Sequence, residues 1–190
     1  MSFNLNDAES GSDLIPDGTV ARAILTIRPG GAGDGGWLKT SSTGGLMLDT
    51  EWVIVEGKFA KRKVWRYMSL SEKAMPITLR QLRAAVEGHF GILPTDMSAE
   101  AMAKRDIKDI GTLNGIEACI MVGVEKSEGY ADKNTIKAVL APGEKSFLTR
   151  GQAAQGAGTV AAGAAGVGFA GGGYTAPPAA QPQANKPAWA

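Results

Sequence analysis

The stretch that decides the fold is residues 62–90, RKVWRYMSLSEKAMPITLRQLRAAVEGHF, in which a two-residue period gives way to a helical one. Over Arg62–Leu70, charged and aromatic residues alternate with Val64, Met68 and Leu70, the pattern of a strand with two unlike faces. From Met75 the spacing changes. Met75, Leu79, Leu82, Val86 and Phe90 fall three or four residues apart, Pro76 suits a first helical turn, and Gly91 supplies a stop.

Outward from this junction the reading is mostly β. Thr19–Arg28 and Leu46–Glu56 precede it as strands, the first closed by Pro29-Gly30-Gly31. A short helix from a Ser98 cap to Arg105 follows, then strands at Ile116–Lys126 and Asp132–Leu140, the last closed by Pro142. The order β-β-β-α-β-β predicts a mainly β, OB-fold-like five-stranded barrel with a helix between strands three and four. The same string also fits an open five-stranded sheet with a helix on one face.

Composition divides the 190 residues into three. Residues 1–17 form a flexible acidic lead. Residues 18–142 form the domain. Residues 143–190 form a linker and a Gly/Ala/Pro/Gln-rich tail, expected to be disordered because it has too few large apolar residues to offset ordering entropy. The net charge is +1, and a charged patch matters more than that sum. One cysteine, Cys119, and one histidine, His89, exclude a disulfide framework and an ordinary zinc site, and no cofactor is expected. His89 at a helix end reads as a satisfied or exposed side chain and Cys119 as a buried, inert one, so no enzyme activity is expected. No apolar run reaches the roughly 20 residues that span a bilayer, and the N-terminus lacks the pattern of a secretion signal, which together point to the cytoplasm.

Three segments carry candidate binding residues. In the third strand Lys61, Lys63, Trp65 and Tyr67 share parity, placing cations and flat rings on one face. Single-stranded nucleic acid asks for that combination, cations along the phosphates and rings under the bases. The alternative is that the rings are core and the lysines solvate a strand end. Arg66 interrupts the apolar face. Gly18–Ser71 holds eight bases, Arg22 and Arg28 among them, against four acids.

The loop at 29–45, PGGAGDGGWLKTSSTGG, fits G-x-G-x-x-G only literally, because a strand and not a helix follows it. It reads either as a long flexible hairpin loop or as a mobile one carrying Trp37 and Lys39 over a groove. The last hairpin, around Lys126, Tyr130 and Lys133, lies beside the groove of an OB-fold or is a simple turn.

Ile15-Pro16-Asp17-Gly18, Gly44-Gly45-Leu46-Met47-Leu48, Val55-Glu56-Gly57-Lys58-Phe59, Arg62-Lys63-Val64-Trp65 and Gly129-Tyr130-Ala131-Asp132-Lys133-Asn134 resemble a family of small phage and prophage proteins. That family, long of unknown function, sits with replication and recombination genes and is regarded as single-stranded DNA-binding-like. The resemblance covers roughly residues 14–142. It implies a protein of a bacterial host's cytoplasm that coats single-stranded DNA, with phage recombination or replication proteins as partners; whether it also forms a homo-oligomer is left open by the sequence. The alternative is an adaptor of the same fold that grips such an enzyme. The tail is similar to those of bacterial single-strand-binding proteins, but ends Asn185-Lys186-Pro187-Ala188-Trp189-Ala190 without their acidic tip.

Overall fold

Strands whose alternate residues are apolar must bury one face, and here they do so in one antiparallel sheet. The computed structural model describes residues 13–152. Its elements are β1 (Val20–Arg28), β2 (Leu38–Thr40), β3 (Leu46–Ile54), β4 (Lys63–Ser69), α1 (Met75–Phe90), α2 (Ala99–Arg105), β5 (Glu117–Glu125) and β6 (Lys133–Leu140), with 3-10 turns at Asp34–Gly36 and Ile110–Leu113. β3 is central: it pairs with β4, with β1 and, through its first residues, with β2, while β1 also pairs with β5 and β5 with β6.

The sheet is open among the described residues, as in the alternative reading, and it has six strands. The extra strand, β2, forms inside the glycine-rich loop. β4 and β6 are not joined by a ladder. Arg66 spans the space between them, its guanidinium donating to the carbonyls of Ile136 and Lys137. The arginine that interrupts the apolar side of β4 is therefore a seam residue at the sheet's open edge, and burial holds its pKa below the ordinary arginine value.

The inner face carries Ala21, Ala23, Leu25 and Ile27 of β1, Leu48, Trp52 and Ile54 of β3, and Val64 and Met68 of β4, all 3% exposed or less. Trp52 donates its indole N–H to Thr50 Oγ1 at 3.1 Å, and Thr50 donates to the Arg66 carbonyl at 2.7 Å, so the polar atoms of this core are satisfied.

α1 closes the inner face against β5 and β6. Pro76 sits in its first turn, and Gly91 at φ 69° caps its end as a left-handed stop. Its buried side includes Thr78, Gln81, Leu82, Ala85 and Val86, while Leu79 and Phe90 are 56% and 47% exposed. The expected apolar stripe is thus rotated. Thr78 donates to the Ser69 carbonyl at 2.8 Å, tying that side of the helix to the end of β4. Glu87, 2% exposed, accepts from Arg83 and Arg105 at 2.7 Å each and joins α1 to α2. Ser98 caps α2 through Ala101 N–H, as its sequence predicts. His89 Nδ1 accepts the Glu117 N–H at 3.0 Å, and burial lowers its pKa, so the ring pins α1 to β5 in its neutral form.

The folded body extends beyond 18–142 at both ends. Ile15 is fully buried, and its N–H and C=O both bond the Asn134 side chain, at 2.9 and 2.8 Å. At the other end Leu148, 2% exposed, packs on Val20, Cys119 and Leu140 over the outer face of the sheet. The residues assigned to the acidic lead and the linker therefore reach into the fold at 13–17 and 143–150. The expected disordered tail, from 153 onward, and the lead's first 12 residues lie outside the described residues. Leu148→Ala is expected to lower unfolding free energy by about 2–5 kcal/mol, the range for a buried leucine, in a urea titration. A change near zero would return this segment to the status of a linker.

Candidate nucleic-acid interface

The register of β3 against β4 builds the outer face. Glu51 lies opposite Trp65, Asp49 opposite Tyr67 and Val53 opposite Lys63. Trp65 is 47% exposed and Tyr67 56%. As alternate residues of one strand they stand about 6.7 Å apart on the same side. A hydrogen bond orients each ring. Trp65 donates its indole N–H to Glu51 at 2.9 Å, and the Tyr67 hydroxyl accepts from Lys39 Nζ at 3.1 Å.

The cations beside the rings are held in pairs. Lys63 meets Glu51 at 2.8 Å. Arg28 engages both oxygens of Asp49, at 2.7 and 2.9 Å, and Lys39 reaches the same carboxylate at 3.3 Å. Lys63 and then the Trp65 indole hold Glu51 below the usual carboxylate range. Tyr67 and Asp49, both accepting from Lys39, raise its pKa, and Asp49 raises that of Arg28. Beyond the rings a groove runs between β4 and β6, bordered by Arg62, Arg66, Lys133, Asn134 and Lys137. Lys133 pairs with Glu125 at 3.5 Å and Lys137 with Asp17 at 3.3 Å.

Of the residues singled out in the sequence, Trp65, Tyr67, Lys63, Lys39 and Arg28 are brought together, and Lys133 lines the adjoining groove. Tyr130, 81% exposed, and Lys126 lie in the β5–β6 loop. Three placements differ from expectation. Arg22 is 1% exposed: Glu117 at 2.8 Å, the Leu148 carbonyl and the Phe147 ring enclose it, because residues 147–148 fold back over the outer face of β1. It is a structural ion pair and cannot reach a phosphate. Lys61 precedes β4, in the turn after β3, at φ 67°, so strand parity does not place it on the face. Trp37 is partly buried against the core beside Gly111, away from the groove, and so the glycine-rich loop is fastened by its own aromatic residue.

Reading the face by its cations entered Asp49 and Glu51 only as a sum of charge. Their parity, opposite to that of Leu48, Trp52 and Ile54, already assigns them to the outer side.

No protein-family model matches the chain, and no curated protein is significantly similar to it.

A Cβ at Gly111 would lie 2.4–2.8 Å from three indole atoms of Trp37. Gly111→Ala is therefore expected to displace Trp37 and cost about 1–3 kcal/mol of stability, as overpacking does, in chemical denaturation. An unchanged stability would show that this contact does not hold the loop.

Proposed function

We propose that the chain is a single-stranded DNA-binding protein without catalytic activity, of the phage or prophage kind that the sequence motifs resemble, coating strands in replication or recombination. The observation that carries this reading is the pair of half-exposed rings, Trp65 and Tyr67, at alternate positions of one strand with Arg28, Lys39 and Lys63 around them. An exposed tryptophan beside an exposed tyrosine costs solvation with no packing return, and base stacking supplies that return at roughly 1–3 kcal/mol per base. Hydrogen bonds hold both rings in place before a ligand arrives, which reduces the entropy lost on binding.

The strand neighbours support the finer fold reading. β1 lies between β3 and β5, β4 flanks β3, and β6 flanks β5. This order supports an OB-fold-like arrangement, with Arg66 standing where a closed barrel would have its last ladder. OB-folds bind oligonucleotides on the face of their second and third strands, with the loops after the first and fourth beside it. On this reading those are β3 and β4, the β1–β3 connection with Lys39 on β2, and the β5–β6 loop with Lys126 and Tyr130, next to Lys133 at the start of β6.

The second reading, an adaptor for a replication or recombination enzyme, draws on a different surface. Leu79, Leu93, Met97 and Met102, each 49–67% exposed, border α1 and α2. Large exposed apolar side chains in one region suit a protein partner.

Trp65→Ala is expected to weaken binding to oligo-dT about five-fold or more while leaving the melting temperature nearly unchanged. Trp52→Ala should instead cost about 3–5 kcal/mol of folding stability. Fluorescence anisotropy and thermal melts separate the two effects. Full oligo-dT affinity in Trp65→Ala would remove the stacking platform, and a wild type without affinity for oligo-dT would favour the adaptor.

A further inference from the structure

We infer that Asp49 and Glu51 set the affinity of the aromatic face, by holding its cations in pairs that the phosphates of a strand must displace. This rests on the reading that the face binds single-stranded DNA, and it names the residues that regulate that site.

Among the described residues, two carboxylates account for all three cations around the rings. Glu51 takes Lys63, and Asp49 takes Arg28 and Lys39. Neither acid swings freely. Asp49 is 5% exposed, and the Glu51 side chain, 16% exposed, is fixed by the Trp65 indole as well as by Lys63. The acids thus sit beneath the cations and rings, on the neighbouring strand, at positions the β3–β4 register fixes.

A phosphate approaching Lys63 or Arg28 finds a cation already engaged. Taking the cation removes the carboxylate's partner, and an acid in a partly buried site that loses its partner is penalised. Binding is therefore an exchange of one anion for another.

The exchange has a signature in salt. Each phosphate neutralised on a single strand releases counterions and contributes about −0.7 to the slope of log affinity against log salt, so three contacts would give about −2. A carboxylate that surrenders its cation draws a counterion back from solution, which cancels part of that release. The wild-type slope is then shallower than the number of contacts implies. The fixed pairs also keep the lysines and the arginine spread along the face when no strand is bound.

Glu51→Gln is the test, with oligo-dT as probe and the full chain as protein. Glutamine keeps an oxygen to accept the Trp65 indole N–H but gives up the charge that holds Lys63. Affinity is expected to rise about five-fold, and the salt slope to steepen by about 0.7, one phosphate contact. In a Lys63→Gln background the same substitution should gain nothing, because there is no cation to release. Asp49→Asn, which frees Arg28 and Lys39, should act in the same direction, and a thermal melt checks that each variant is folded. If wild type binds and loses affinity on Trp65→Ala, but folded Glu51→Gln binds no more tightly and with the same slope, this inference fails and the binding reading stands. If neither the wild type nor the charge variants bind oligo-dT at any salt concentration, the binding reading fails and takes this inference with it.

Discussion

The antiparallel register of β3 on β4 is the constraint on which the rest depends. Leu48, Trp52 and Ile54 on one strand and Val64 and Met68 on the other must face inward together. Side chains alternate at every residue, so Asp49, Glu51, Lys63, Trp65 and Tyr67 must then face outward together. A slip of one residue would bury a carboxylate or a lysine and expose Trp52, at a cost of several kcal/mol. The hydrophobic core thus fixes the composition of the outer face as firmly as it fixes the inner one. The outward set includes two large rings, Trp65 and Tyr67, both about half exposed.

The two ends of the outer face are treated differently. Over β1, β5 and β6, residues 147–150 lie across the sheet. Leu148 covers Val20, Cys119 and Leu140, the Leu148 carbonyl accepts from Arg22, and the Cys119 thiol, buried under this segment, is pushed up to about 11. Over β3 and β4 no described segment does so, and the rings stand half-exposed. The seam between β4 and β6, bridged by Arg66, continues that surface as a groove. One end of the outer face is covered by the chain's own residues, and the other is left exposed.

Much of this was legible in the sequence, and the failures have physical causes. Parity alone separated Trp52 from Trp65, because long strands with clear alternation leave little choice. Gly91, Ser98 and Pro76 marked helix ends by local chemistry that tertiary structure did not override. Arg22 was misread because a count of basic residues does not say what later folds over each of them; Phe147 and Leu148 are more than 120 residues away. Lys61 was misread because the parity count ran through a turn. Trp37 was misread because the glycines around it suggest mobility, whereas the Gly111 backbone that receives its ring is far off in the sequence. Asp49 and Glu51 were legible by parity but entered only as a sum of charge, since a net count does not say which cation each acid faces across the strand.

The central claim is that Trp65 faces a ligand while Trp52 serves the core. The most direct test is a two-dimensional 15N–1H spectrum of the indole N–H signals, four in the 190-residue chain, during titration of that chain with oligo-dT. Single-residue substitutions assign the signals. The expected result is that the Trp65 signal shifts progressively and saturates, as a base stacks on the ring and Glu51 re-forms its bonds, while the Trp52 signal stays in place. Binding that moves Trp37 or Trp52 and leaves Trp65 unmoved would contradict the assignment and place the ligand on another surface.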